Sequence, residues 1–502
     1  MTLVNMPLFS FIFYLVIVVI VSFWAIDRSR NLEGIINAIV VLEWAVYCSL
    51  AESKEKDELV DIIPITAAVL IVVSMAALAF PNLSSYLWQA DRLGGLFQYS
   101  NTCALYLLIG LIIEVERGRT GKYLHYGIIA ILMLGIMLTG SRTVAIIMIG
   151  WAVYKFVTSA SNRKAIAITG IIMAVAVAFS SVLLNNTQNF GRLATIMEYN
   201  STFWGRLLYD IDGVRMLASH PFGMGYMGYY YVQGGAQTGV YTTMFVHNDI
   251  LQMGLDYGII PMLLLVAFTV NQIIKGKNDR LSKALIIIIM LASLADFHLQ
   301  YPSIVMVLVL CFDLDCELPF LDRIGRKTTD KKGKVDNTIA ILVSGLLFIA
   351  SAYMLIAFRA VASENISVAG KMLGKNTQVL ESVLDRVSSA EETEAIVKDI
   401  LKVNKYSSKA WRYQAYVDTA KGDYDSAIDC IDKALSLNKY NVDMYKAFDA
   451  LLLDMYAATD DEAMSDRILA ARDALPKRLA ELEKDTSSLA YRLKDKPEFA
   501  YN

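Results

Sequence analysis

Residues 62–80 read IIPITAAVLIVVSMAALAF, an apolar run without a single charged side chain. At about 1.5 Å of helical rise per residue, such a run crosses most of the roughly 30 Å of hydrocarbon in a bilayer. Further apolar runs occupy about 7–26, 32–50, 102–115, 123–139, 143–157, 165–184, 247–273, 283–297, 301–313 and 337–357. Together they predict an all-α, polytopic membrane protein with about eleven transmembrane helices. The runs at 102–115, 143–157 and 301–313 are short, and are expected to begin within their polar flanks or to cross only part of the bilayer. The composition agrees: 502 residues, 56% of them hydrophobic, with a mean hydropathy of +0.45.

The formal net charge of −3 and the lack of a sustained basic stripe argue against nucleic acid as a partner. The five cysteines (Cys48, Cys103, Cys311, Cys316 and Cys430) have no metal-ligand spacing, and four sit in or beside apolar runs, where cysteine behaves as a small hydrophobe. No disulfide framework is expected. The first run lacks a small-residue cleavage site and is followed by others, so it reads as a retained helix.

Lysine and arginine placement orients the helices, because cytoplasmic loops carry the excess. With the N-terminus inside, the inner loops carry eighteen such residues and the outer loops seven. Asp27–Asn31, with Arg28 and Arg30 facing out, is the one loop that fits poorly. This orientation predicts a membrane domain over 1–357, with an external loop at 185–246, and an extracytoplasmic domain over 358–502.

That second domain is charged, rich in Ala, Leu and Lys, and helical in period. The run from Ala410 through Trp411, Tyr416, Tyr424, Ala427, Ala434 and Leu435 resembles one tetratricopeptide repeat, with small alanines where helices approach and large side chains filling the seam. One repeat does not bury a stable core, so flanking helices at 365–404 and 442–474 are expected to complete a short array.

The polar residues that interrupt the membrane domain collect on the outer side. The first group is Asp91-Arg92, with Gln98 and Asn101 shortly after it. The others are Gly140-Ser141-Arg142-Thr143, then Gly205-Arg206, His220-Pro-Phe-Gly-Met-Gly225, and His247-Asn248 at the start of an apolar helix. An arginine at the end of a membrane helix commonly snorkels. Arg142, however, lies on an outer loop against the charge bias, and a charge kept there is a functional candidate. Arg206 has a plain alternative reading as an i,i+4 ion pair with Asp210, on an amphipathic helix striped by Trp204, Leu207, Leu208, Ile211 and Val214. His247 beside a helix N-terminus is placed for anion contact through backbone N–H groups, and the same position favours a neutral imidazole suited to a general base. Asp210-Ile-Asp212 spells a D-x-D motif, but residues two apart on a helix diverge. A mechanism without metal or other cofactor is therefore expected.

These segments, together with Gly95–Asn101 and Gly254-Leu-Asp-Tyr-Gly258, resemble in order and spacing the O-antigen ligase/O-antigen polymerase superfamily of bacterial membrane glycosyltransferases. The resemblance covers roughly residues 60–275, and the tail is similar to an extension on some members, mainly Gram-positive ones. It implies transfer of a glycan from an undecaprenyl-diphosphate carrier to a glycan or cell-surface acceptor at the outer face of the bacterial cell membrane. It further implies that Arg142 and Arg206 grip the diphosphate, that His247 acts near the acceptor hydroxyl, and that Arg92, Gln98, Asn101, Ser141 and Asn248 line the substrate site. Asp256 stands where the family commonly has Glu. The tail is expected to recruit a protein partner or the acceptor. A lipid or polysaccharide transporter, or a non-catalytic scaffold acting through its tail, are the competing readings; transporters are expected to show internal repeats, and none is visible.

Overall fold

The computed structural model describes residues 7–89, 91–118, 121–158, 201–314, 333–363 and 365–501. The expected span at 165–184 and the start of the 185–246 loop lie outside these residues. Within them the chain is nearly all-α. The membrane domain contributes α1 (Pro7–Val21), α2 (Asn31–Leu50), α3 (Ser53–Ala76), α4 (Pro81–Leu87), α5 (Ser100–Arg117), α6 (Lys122–Thr139) and α7 (Arg142–Thr158). It continues with α8 (Ser201–Ser219), α9 (Gly228–Ala236), α10 (Asp249–Tyr257), α11 (Ile259–Ile274), α12 (Arg280–Ser293), α13 (Pro302–Leu310) and α14 (Gly333–Ala362). A two-residue hairpin, β1 (Trp88–Gln89) and β2 (Arg92–Leu93), precedes α5, with Trp88 opposite Leu93 and Gln89 opposite Arg92.

Among the described residues, three helices are long and apolar enough to cross a membrane: Asn31–Leu50, Ser53–Ala79 and Lys122–Thr139. The quoted run shows how such a helix divides its surface. Ile63, Ala67, Leu70, Ile71 and Ser74 are buried, whereas Ile62, Val69 and Val72 are each more than half exposed. Apolar residues on both faces mark a helix packed on one side and bathed in lipid on the other.

The core of the membrane domain is α5, whose residues from Thr102 to Glu114 are all buried except Tyr106. Glycines let its neighbours approach: a Cβ at Gly110 would stand 3.1 Å from that of Ala67, and one at Gly135 would stand 2.2 Å from Ile71 Cδ1. At one end of α5, Arg117 pairs with Asp57 and Asp61 of α3 at 2.8 and 2.9 Å. At the other end lie the candidate residues.

The C-terminal domain consists of α15 (Ile366–Leu373), α16 (Thr377–Leu384), α17 (Ala390–Val403), α18 (Ser408–Ala420), α19 (Tyr424–Leu437), α20 (Val442–Ala458) and α21 (Glu462–Asp485). All seven of these helices begin on a Ser, Asn or Asp whose side chain accepts from a first-turn N–H, as at Ser407 and Asp423. The α18–α19 hairpin turns at Gly422 (φ 76°) and closes over Ala415, Ala427 and Ala434, all fully buried.

This domain docks on the face that carries the candidate site. Arg28 N donates to Val403 O at 3.2 Å, Asn404 to Asp27 at 3.3 Å, and Arg30 to Gln378 at 2.9 Å. Arg30 also pairs with Glu33 and is only 8% exposed, which explains one of the two ill-placed arginines, since this part of the loop is an interface; the Arg28 side chain stays exposed.

Candidate active site

The helix carrying Arg206 buries a different stripe from the one its hydrophobic pattern suggests. Leu207 and Val214 face outward, while Gly205, Leu208, Asp212, Gly213 and Met216 face the protein. Gly213 packs close here, a Cβ on it standing 2.9 Å from the Leu251 side chain of α10. The two aspartates, two residues apart on this helix, take different surroundings. Asp212, fully buried, accepts from Thr238 N, Thr238 Oγ1 and Tyr241 OH at 2.8–2.9 Å. Asp210 points instead toward Asn248, and burial raises its carboxyl to about 6, opposed by the Asn248 hydrogen bond and by Arg206.

Arg206 takes its closest carboxylate from elsewhere in the chain. Its Nη2 donates to Asp296 Oδ2 at 2.8 Å and its Nη1 to Thr143 Oγ1 at 3.3 Å. The i,i+4 pair with Asp210 expected from spacing gives way to a partner ninety residues distant. Asp296, in the turn between α12 and α13, is the hub of the site. It is fully buried and accepts Tyr99 OH and Phe297 N on Oδ1 (2.8 and 3.0 Å), and Asn101 Nδ2 and Arg206 Nη2 on Oδ2 (2.7 and 2.8 Å). Burial raises its carboxyl, but Arg206 together with the other groups around it, Tyr99 among them, outweighs this and leaves it below the ordinary range. Arg92 supports the arrangement from behind, donating to Asn101 Oδ1 at 2.9 Å and to Thr139 O at 2.7 Å.

Two imidazoles flank this hub. The His247 ring lies 5.1 Å from Phe297 and 5.5 Å from Tyr209, and His298 Nδ1 lies 3.0 Å from Thr102 Oγ1. Both are lowered to about 4, chiefly by burial; Arg206 lowers each further, and Asp296 opposes. Both rings are therefore neutral at physiological pH. Arg206 Nε, His247 Nδ1, His298 Nε2 and Ser141 Oγ are buried without a protein hydrogen-bond partner. Buried polar atoms rarely go unpaired in proteins, so several around one carboxylate mark capacity for a polar ligand. Arg206 donates through only two of its five N–H groups here, leaving its fork able to meet an anion.

The candidate residues divide accordingly. Arg92, Asn101 and Arg206 meet through Asp296, and Arg142, half-buried at the first position of α7, and Ser141 adjoin them through Thr143. Gln98 is exposed in a left-handed turn (φ 51°) before α5, away from the hub. Asn248 is the N-cap of α10, its Oδ1 accepting from Leu251 N at 3.2 Å. The first turn of α10 also carries Asp249, which accepts from Leu299 N at 2.7 Å. With a side chain on its N–H groups and a carboxylate in its first turn, this helix start is not an anion seat, and the neutrality of His247 comes from burial rather than from the helix.

The glycine motifs prove to be a joint rather than a cradle. Met224 N and Gly225 N donate to Leu255 O and Asp256 O (2.8 and 2.9 Å), and Ile259 N donates to Pro221 O (3.0 Å). Gly223 (φ 84°) and Gly258 (φ 100°) face each other so closely that a Cβ on Gly223 would stand 2.7 Å from Gly258 N. Beyond this joint lies a cavity of about 180 Å³ between α1, α2, α10, α11 and α13, lined by Tyr14, Asn37, Asp249, Asp256 and Phe268 among others. No lysine or arginine lines it, so it does not suit a phosphate.

Asp296, His298 and Tyr99 were not singled out from the sequence, yet a signal was present. Asp296 and His298 are the only acidic or imidazole side chains between Lys283 and Asp313, and an ionisable residue interrupting an apolar run is a functional candidate.

Residues 127–266 match the O-antigen ligase family model. This stretch contains Ser141, Arg142, Arg206, His247 and Asn248, and ends before Asp296. The match supports an O-antigen ligase or polymerase type of glycan transfer in a membrane protein. No curated protein and no solved structure matches the chain.

Proposed function

We propose that this chain transfers a glycan from an undecaprenyl-diphosphate carrier to an acceptor hydroxyl at the outer face of the cytoplasmic membrane. The observation that carries this reading is Arg206, fixed by the buried Asp296 beside a neutral, buried His247. The acceptor oxygen attacks the anomeric carbon of the donor sugar. The new C–O bond forms as the bond to the diphosphate oxygen breaks, and its electron pair leaves with the diphosphate. The acceptor proton passes to His247, whose unpaired Nδ1 is available to take it. Arg206, with Arg142 beside it, stabilises the charge growing on the departing diphosphate. Each step of this proposal is assigned to side chains of this chain.

In this reading the chain is a multi-pass protein of about eleven spans. The site and the C-terminal helices docked beside it then both lie on the extracytoplasmic side, and the docking supports their sharing one side. In the same reading the C-terminal helices form a tetratricopeptide-like array that recruits a protein partner or the acceptor, supported by the α18–α19 hairpin closing over Ala415, Ala427 and Ala434. Glycan analysis after gene deletion tests the function. Loss of a polymerase leaves single repeat units on the carrier, and loss of a ligase leaves full-length chains there. Surface glycan identical in the deletion strain and its parent would overturn the proposal.

A further inference from the structure

The segment that follows α21 packs directly on α8. Arg492 stacks its guanidinium over the Trp204 ring, 4.3 Å from the centroid. Ala490 and Leu493 form a buried cluster with Leu208 and Tyr241, with Trp204, Tyr209 and Leu489 at its edge. A Cβ on Gly205 would meet Leu493 at 3.4 Å, and one on Gly239 would meet Ala490 at 2.7 Å. Ser487 N donates to Thr238 O at 2.9 Å, and Thr238 in turn holds Asp212 of α8.

These contacts surround the residue that matters. Trp204, Gly205, Leu208 and Tyr209 bracket Arg206 on its helix, and each touches or adjoins residues 489–493. Tyr209 also links to the second candidate residue, lying 4.4 Å from the Tyr241 ring and 5.5 Å from His247. One face of α8 therefore rests on Asp296 and Thr143, and the neighbouring face rests on the C-terminal domain. Without the second support, the Trp204–Leu208 face of this helix loses its contacts with residues 489–493, and the Arg206 contacts, the Asp212 hydrogen bonds and the packing on Tyr241 and α10 are left to hold it.

We propose that Ser487–Leu493 is a positioning element of the active site, holding α8 so that Arg206 and His247 keep their geometry, and that the C-terminal domain is thus part of the catalytic unit. This rests on the function proposed above, since it assigns those two residues to the reaction. It differs from recruitment, in which the domain captures a partner and leaves the site untouched.

The test uses the full chain, expressed where the native copy is deleted, with undecaprenyl diphosphate itself as the binding probe. A chain ending at Thr486 is expected to bind the probe about tenfold more weakly and to transfer about a hundredfold less glycan per molecule in the membrane, the scale of a misplaced catalytic group. Full-chain Arg492→Ala is expected to lose about threefold in probe affinity, the scale of an exposed cation–π contact, and Arg492→Lys to regain it. Unchanged affinity in the shortened chain overturns the proposal, because recruitment alone predicts that result. If the shortened chain does not accumulate, the Arg492 pair decides: wild-type affinity in the alanine variant, or no recovery with lysine, overturns it. Arg206→Ala separates the two readings. Full affinity in that variant defeats the proposed function, whereas its loss beside an unaffected shortened chain defeats only the positioning role.

Discussion

Replacing Asp296 with Asn keeps the size of the side chain and removes its charge. Four donors now converge on two acceptor oxygens. An amide offers one acceptor and one donor group, so two donors lose their partner whichever way it is turned. With the amide oxygen toward Tyr99 and Phe297, the new NH₂ faces Arg206 and Asn101. Each stranded donor costs about 1–3 kcal/mol, and a buried guanidinium deprived of its counter-charge costs about 3–5 kcal/mol. Arg206 keeps 19% exposure, which screens part of its loss, so we expect a net destabilisation of about 3–4 kcal/mol. Arg206 is also released from its position, which should reduce glycan transfer by about a hundredfold. Thermal unfolding of the purified protein and glycan yield per molecule measure the two effects. Because Arg206 and the other groups around it hold the Asp296 carboxyl below its ordinary range, the pair stabilises the fold at neutral pH and fails only in acid, as pH falls through that lowered pKa. Wild-type stability and yield in Asp296→Asn would refute the placement of Asp296 as the hub.

Four further outcomes follow from the geometry. Arg206→Ala and His247→Ala should each lower transfer by about 10²–10³-fold at normal protein level, as expected for losing a charge-stabilising or proton-accepting group. Because His247 must be neutral to act and titrates at about 4, the rate should show no limb near the ordinary imidazole range and should fall only as pH approaches 4; a limb near pH 6.5 would contradict the burial of the ring. Since His247 and His298 are both lowered to about 4, their contribution to stability should decline as pH drops from about 6.5 toward 4. The raised carboxyls of Asp210 and Asp249 act in the opposite direction over the same window, so His247→Phe should make stability less sensitive to acid. Gly258→Ala, at φ 100° and 2.9 Å from Pro221 O, should cost about 2–4 kcal/mol in thermal unfolding while leaving the Arg206 contacts in place.

The helices were readable because membrane burial writes itself as long apolar runs, and α3 behaves as its composition demands. The site was readable in part. Arg206 and His247 stood out as polar residues at helix ends, and their roles are argued from the environment each now has. Their surroundings were not readable, for two physical reasons. The partner of Arg206 comes from a turn ninety residues away, which local spacing cannot reveal. The face that α8 buries includes Gly205, Asp212 and Gly213, which a stripe of hydrophobic residues does not encode. The glycine motifs at 220–225 and 254–258 meet each other at a backbone joint, a long-range pairing that local sequence does not reveal.

The loop between α1 and α2 has a bearing on how the protein is made. Its Ser29 hydroxyl meets Thr377 across 348 residues of chain, and its Asp27 carboxylate receives Asn404 across 377. This early loop stays incomplete until a late part of the polypeptide arrives. A clipped or unfinished product leaves Arg30 without Gln378 and Asp27 without Asn404, exposing polar groups meant to be covered. The integrity of an early loop thereby depends on a segment made 348 to 377 residues later, so the two fold as one unit rather than in order of synthesis.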